Sequence, residues 1–75
     1  MQEQDILNNL DKLGKRIKEL RIAKRYTNYE AFAYAKNIPR AQYGRYEKGS
    51  DLKFSSLLKV IDALGMTVEE FFKDF

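Results

Sequence analysis

Two arginines, Arg40 and Arg45, lie in the stretch EAFAYAKNIPRAQYGRYEKG from Glu30 to Gly49, and they are the side chains here best suited to recognising a ligand. A guanidinium is a planar fork of N–H donors that matches the O6 and N7 acceptors of guanine, or the oxygens of a phosphate. An exposed pair on one helix is therefore the chemistry of a nucleic-acid reader. At 3.6 residues per turn the two lie about 140° apart around the helix. Both can reach a groove that surrounds the helix, or one can read bases while the other grips phosphate. Each also has a plainer use: Arg40 as an exposed cover for Pro39, Arg45 as the ion-pair partner of Glu47 or Glu30.

Catalytic chemistry finds little to work with. The 75 residues contain neither cysteine nor histidine, so a disulfide framework, thiolate or imidazole metal ligands and the commonest general base are all missing. No triad, metal constellation or phosphate loop organises the serines and carboxylates. Neither an enzyme nor a cofactor is expected. No segment reads as a membrane span or a signal peptide, so a cytoplasmic location is the expectation.

Charge is unevenly distributed. The net charge is +3, but from Lys12 to Lys48 there are eleven Lys/Arg against Glu19, Glu30 and Glu47, a balance of +8. Residues 1–11 carry −3 and residues 49–75 carry −2. A concentrated basic segment suits a polyanion, because each phosphate neutralised releases condensed counterions. On charge alone, a solvated basic helix face fits equally well.

The elements that must hold these side chains are helices. Ile6, Leu10, Leu13, Ile17 and Leu20 form one apolar stripe, interrupted at modest cost by Gly14. Ile6 and Leu7 extend that helix, cover the domain or meet a second subunit, with packing inside the chain the favoured expectation. Thr27 and Glu30 form a T-x-x-E capping box for a second helix, in which Phe32 and Ala33 face inward. Asn37 tolerates the left-handed conformation and Pro39 starts a helix rather than continuing one, so the chain turns between them. A third helix from about Pro39 to Lys48 then places the rings of Tyr43 and Tyr46 on the core side, where either hydroxyl could still reach a phosphate. Gly49 ends it. Ser55 is the expected N-cap of a fourth helix carrying Leu57, Leu58, Ile61 and Leu64 inward, stopped by Gly65. Thr67 and Glu70 form a second capping box, Met66 is placed to staple onto Phe71, and a fifth helix runs from about Val68 to Lys73. Phe75 reads as a loose end.

From Leu10 to Phe72 the chain resembles the Cro and lambda-repressor (Xre) type of helix-turn-helix protein of bacteria and phages. The resemblance rests on GKRIKELR in the first helix, Ala33 at a close helix crossing, Asn37 and Ile38 at the turn, the YEKG ending, and SLLKVIDALGMTVEEFF as the last two helices. Pro39 replaces a usual polar N-cap, Lys36 a usual apolar residue, and the loop before the second helix is one residue longer. The implied fold is all-α, a five-helix lambda-repressor-like domain over residues 10–75, with residues 1–9 as a helical N-terminal extension.

The resemblance also implies roles. Arg40, Ala41, Gln42, Gly44 and Arg45 fill the base-facing slots: Gln42 for adenine or the backbone, Ala41 for a thymine methyl, Gly44 for close approach. Asn28 or Tyr29 would meet a phosphate at the start of the second helix, Asn28 being equally readable as a second capping residue and Tyr29 as a surface aromatic. Tyr43, Lys48, Lys53, Ser55 and Ser56 would contact the DNA backbone, and Arg16 would form a structural ion pair with Glu47. The implied function is sequence-specific binding of double-stranded DNA as a transcriptional regulator, with repression the expected sense and a homodimer the expected form. The alternatives are an antitoxin-type or phage-type protein with a protein partner, and an adaptor that binds protein instead of DNA.

Overall fold

A computed structural model describes all 75 residues: α1 (Glu3–Ala23), α2 (Tyr29–Ala35), α3 (Arg40–Glu47), α4 (Phe54–Ala63) and α5 (Val68–Phe72), with no strand. Four of the five end in the same way. In these four the residue after the C-cap takes a left-handed conformation, with φ of 71° at Arg25, 57° at Asn37, 91° at Gly49 and 72° at Gly65, as Asp74 also does after α5 without the same back-bond to its helix. The next N–H then reaches back to the helix: Tyr26 to the Arg21 carbonyl, Ile38 to Ala33, Ser50 to Arg45 and Met66 to Ile61. This is the Schellman arrangement, and it turns the chain sharply while pairing carbonyls that the helix leaves free. Arg25 occupies the first of these positions without glycine's freedom. Its side chain gave no hint of the stop, which is why the end of α1 was not legible.

The core collects Leu13 and Ile17 from α1, Phe32 and Ala33 from α2, Tyr43 and Tyr46 from α3, Leu57, Val60, Ile61 and Leu64 from α4 with its cap, and Phe71 from α5. Tyr26, Phe32 and Tyr43 form a continuous aromatic row, with ring centroids 5.2 Å apart at each step. That row ties the end of α1 to α2 and α3, so these two short helices share one rigid support.

Gly14 does more than interrupt α1 at modest cost. A Cβ there would lie 2.7 Å from the Tyr46 carbonyl oxygen, 2.8 Å from that of Glu47 and 2.9 Å from the Gly49 amide. All three are backbone atoms, so α1 and the end of α3 meet at a distance only a bare Cα allows.

Other local expectations change as well. Asn28, and not Thr27, caps α2: its Oδ1 accepts from the Ala31 N–H at 2.7 Å. Helix α4 begins at Phe54 with Lys53 as N-cap and no side-chain cap, leaving Ser55 inside the first turn. Leu58 points outward, and Val60 takes its place in the core, because 57, 60, 61 and 64 are the positions that share one face. The capping box at Thr67 and Glu70 forms as expected, and Met66 packs on the core. Phe75 is not a loose end: its ring meets Phe72 edge-on at 5.2 Å, and the Lys12 ammonium sits 4.6 Å from its centroid. Ile6 and Leu7 extend α1 but do not pack inside the chain; they are 46% and 50% exposed.

Candidate nucleic-acid interface

Helix α3 is presented rather than enclosed. Pro39 occupies its N-cap, with its φ of −54° preset for a helix start and its carbonyl accepting the Tyr43 N–H at 2.9 Å. No side chain caps this end, so the N–H groups of the first turn have no protein partner there and Arg40 and Ala41 stand exposed beside them. Arg40 approaches Glu30 at 3.9 Å, with both side chains more than half exposed (71% and 55%). A contact that long and that wet holds neither group firmly. Arg45 is exposed with no carboxylate within ion-pair distance, so neither Glu47 nor Glu30 claims it.

Gln42 is half-buried, and its side-chain amide donates to the Tyr46 hydroxyl one turn on. The two line an open groove of about 310 Å³ between α3 and the start of α4, together with Arg45, Lys53 and Ser56 among others. One base-facing candidate and two backbone-facing candidates from different helices thus border the same concavity as Arg45. Asp51 also lines it, with its carboxylate turned to the Leu52 N–H at 2.8 Å. Lys48 and Ser55 are exposed but do not line it.

Gly44 is not a groove-facing residue. It is buried, and a Cβ there would come within 2.9 Å of the Tyr29 ring. The small side chain makes room for Tyr29, whose ring also faces Tyr43 at 6.5 Å. Tyr29 is accordingly laid along the flank of α3, half-buried, at the first turn of α2. Asn28 is exposed beside it and serves as the cap, which leaves its amide nitrogen outside that bond.

Tyr43 cannot meet a phosphate. Its side chain is fully buried and its hydroxyl has no hydrogen-bond partner. Burial, reinforced by the nearby Glu47 carboxylate, pushes its pKa well above the ordinary tyrosine value.

The expected Arg16–Glu47 ion pair does not form. Glu47 belongs to Arg21, in a two-pronged pair with Nε–Oε2 of 2.8 Å and Nη2–Oε1 of 2.9 Å. The remaining Nη1 donates to the Tyr26 carbonyl at 2.7 Å. Both side chains are nearly inaccessible, at 4% and 7%. The hydrogen bond to Glu47 raises the Arg21 pKa against the opposing cost of burial. Arg16 instead turns to α5, donating to the Phe71 carbonyl at 3.0 Å and the Glu70 carbonyl at 3.5 Å. The reason is helical phase. Arg21 lies seven residues after Gly14, on the α1 face that touches the end of α3, whereas Arg16 lies on the face turned to α5. The legible signal was Arg21 itself, a charge four residues after Ile17 on the buried stripe.

No group of acidic residues is arranged to hold a metal, and no helix is long and apolar enough to cross a membrane. No curated protein and no solved structure matches the chain at a significant level. The family model described as helix-turn-helix matches residues 17–71, which begin inside α1 and end inside α5. With five helices in this order and α2 and α3 joined by the Asn37–Pro39 corner, the chain belongs to the Xre and lambda-repressor type of helix-turn-helix DNA-binding proteins.

Proposed function

We propose that the chain is a sequence-specific transcriptional regulator, acting as a repressor in the cytoplasm without catalysis, that lays α3 in the major groove of double-stranded DNA. The observation that carries this reading is the division of α3 into two sides. Tyr43 and Tyr46 are buried, while Arg40, Ala41 and Arg45 are exposed with no firm protein partner. Arg40 and Arg45 read guanine or grip phosphate, Ala41 meets a thymine methyl, and Gln42 reads from the groove wall. Asn28, Tyr29, Lys48, Lys53, Ser55 and Ser56 hold the sugar-phosphate backbone and set the register.

One α3 covers only a few base pairs, so useful specificity calls for two copies on a palindrome about one helical turn apart. A homodimer on DNA is the expected form. We place the domain boundary near residue 10, because every residue before Leu10 is in the exposed range. The arm before it, with Ile6 and Leu7 exposed, and α5 are the two candidate interfaces. The same exposed pair favours a second reading, in which the arm binds a different protein, as in an antitoxin-type or phage-type regulator.

Selection of the purified protein on a randomised DNA pool at two salt concentrations tests the reading. A short inverted repeat is the expected product. Absence of any enriched motif, with affinity falling away with salt identically for wild type, Arg40→Ala and Arg45→Ala, would leave only polyanion attraction and favour the protein partner.

A further inference from the structure

Gln42 and Tyr46 sit one turn apart on α3, and two depressions meet at them. One is the groove toward Lys53; the other, of about 220 Å³, runs between the Asn37–Pro39 corner and α4. Tyr46 is 6% exposed, so its ring is held by the core, and its hydroxyl lies on the wall shared by the two depressions. The Gln42 amide nitrogen donates to that hydroxyl. We propose that Tyr46 is a positioning residue for base recognition: it commits the amide nitrogen of Gln42 and so presents the Gln42 carbonyl oxygen to the DNA.

This rests on the reading of α3 as the groove-inserted helix, and it assigns a base to Gln42. A free glutamine can turn its amide over and satisfy several partners. With one N–H donated to Tyr46, what Gln42 leaves free is the carbonyl acceptor with one further N–H. Adenine complements that edge, because its N6 amino group donates and its N7 accepts. Guanine does not, because O6 and N7 both accept and one of them would face the carbonyl oxygen. Gln42 therefore selects adenine over guanine, and the selectivity depends on the Tyr46 hydroxyl.

Tyr46→Phe removes the hydroxyl and keeps the ring that the core requires. Binding should be measured for wild type, Gln42→Ala and Tyr46→Phe on the selected site and on sites with guanine in place of adenine at each position. Wild type is expected to prefer adenine at one position by between about fivefold and a hundredfold. Gln42→Ala should abolish that preference, and Tyr46→Phe should reduce it several-fold at the same position while leaving the other positions unchanged. If Tyr46→Phe keeps the full preference, or if Gln42→Ala alters no base position while the protein still selects a motif, the positioning role is overturned and the DNA reading stands. If no protein of the three selects a motif, both fail together. The Gln42 side-chain amide resonances of the free protein provide a check without DNA: a held amide is shifted away from its solvent-exposed value in wild type and returns to it in Tyr46→Phe. An unshifted amide in the wild type would overturn the proposal.

Discussion

Two Arg–Glu pairs in this small domain have the same chemistry and opposite consequences. Arg21 and Glu47 meet through two bonds of 2.8 and 2.9 Å and are almost wholly buried, whereas Arg40 and Glu30 come no closer than 3.9 Å on an open surface. The first has surrendered its hydration and is fixed by a third bond to the Tyr26 carbonyl. The second keeps its water and can exchange one anion for another. The difference separates a guanidinium used to join α1 to α3 from one free to meet DNA. Burial decides it, since a desolvated charge deprived of its partner is costly and an exposed one is not.

The largest effect should come from breaking the buried pair on one side only. Arg21→Ala or Glu47→Ala is expected to destabilise the fold by about 3 to 5 kcal/mol, because each leaves the other charge buried and uncompensated. Chemical denaturation measures it. Replacing both with apolar residues of similar size should cost less than either single change.

Next comes the contact that lets the pair form. Gly14→Ala forces a methyl against three backbone atoms of the α3 terminus, so we expect a loss of about 1 to 3 kcal/mol, read by thermal unfolding. A variant as stable as wild type would mean that α1 and α3 can separate without cost.

The exposed pair should behave in the opposite manner. Arg40→Ala is expected to weaken specific DNA binding by about 1 to 3 kcal/mol if it reads a base, while stability changes by less than about 0.5 kcal/mol. Glu30→Ala should leave stability equally unmoved and slightly strengthen DNA binding, by removing a carboxylate that competes with phosphate. Titration of fluorescent duplexes against matched melting curves sharpens the contrast. A destabilised Arg40→Ala would erase it.

The smallest effect is a pH response next to the buried pair. Tyr43 has its pKa raised in the folded state, above the ordinary value of 10.0. Its contribution is fully present below the unfolded value and is lost as pH rises beyond it, because the unfolded chain can ionise and the folded one resists. Wild type should therefore lose stability above about pH 10 more steeply than Tyr43→Phe. Parallel alkaline denaturation curves for the two would contradict this.

Much of this architecture was legible from local chemistry. The i, i+3, i+4 apolar spacing located α1 and α4, the Thr67–Glu70 box located α5, and Asn37 followed by Pro39 located the corner between α2 and α3. The readable failures share a cause. Thr27 and Asn28 both suit an N-cap, and α4 starts after Lys53, whose side chain cannot cap, rather than after Ser55, which could, so the choice fell to where the neighbouring helices dock. Leu58 was apolar enough for the core but one position off the face that α4 buries. Phe75 looked terminal and free until Lys12 and Phe72 enclosed it.

The same boundary runs through the candidate site. Residue type and helical period alone established that α3 has a tyrosine side and an arginine side, because both properties repeat within a single turn. Which arginine meets Glu47, that Gly44 makes room for Tyr29 rather than for DNA, that Gly14 is a contact point, and that Tyr46 holds Gln42 depend on distances between elements or on a side chain's chosen rotamer. Those were decided by the tertiary structure, since one helix cannot encode the phase at which another helix meets it.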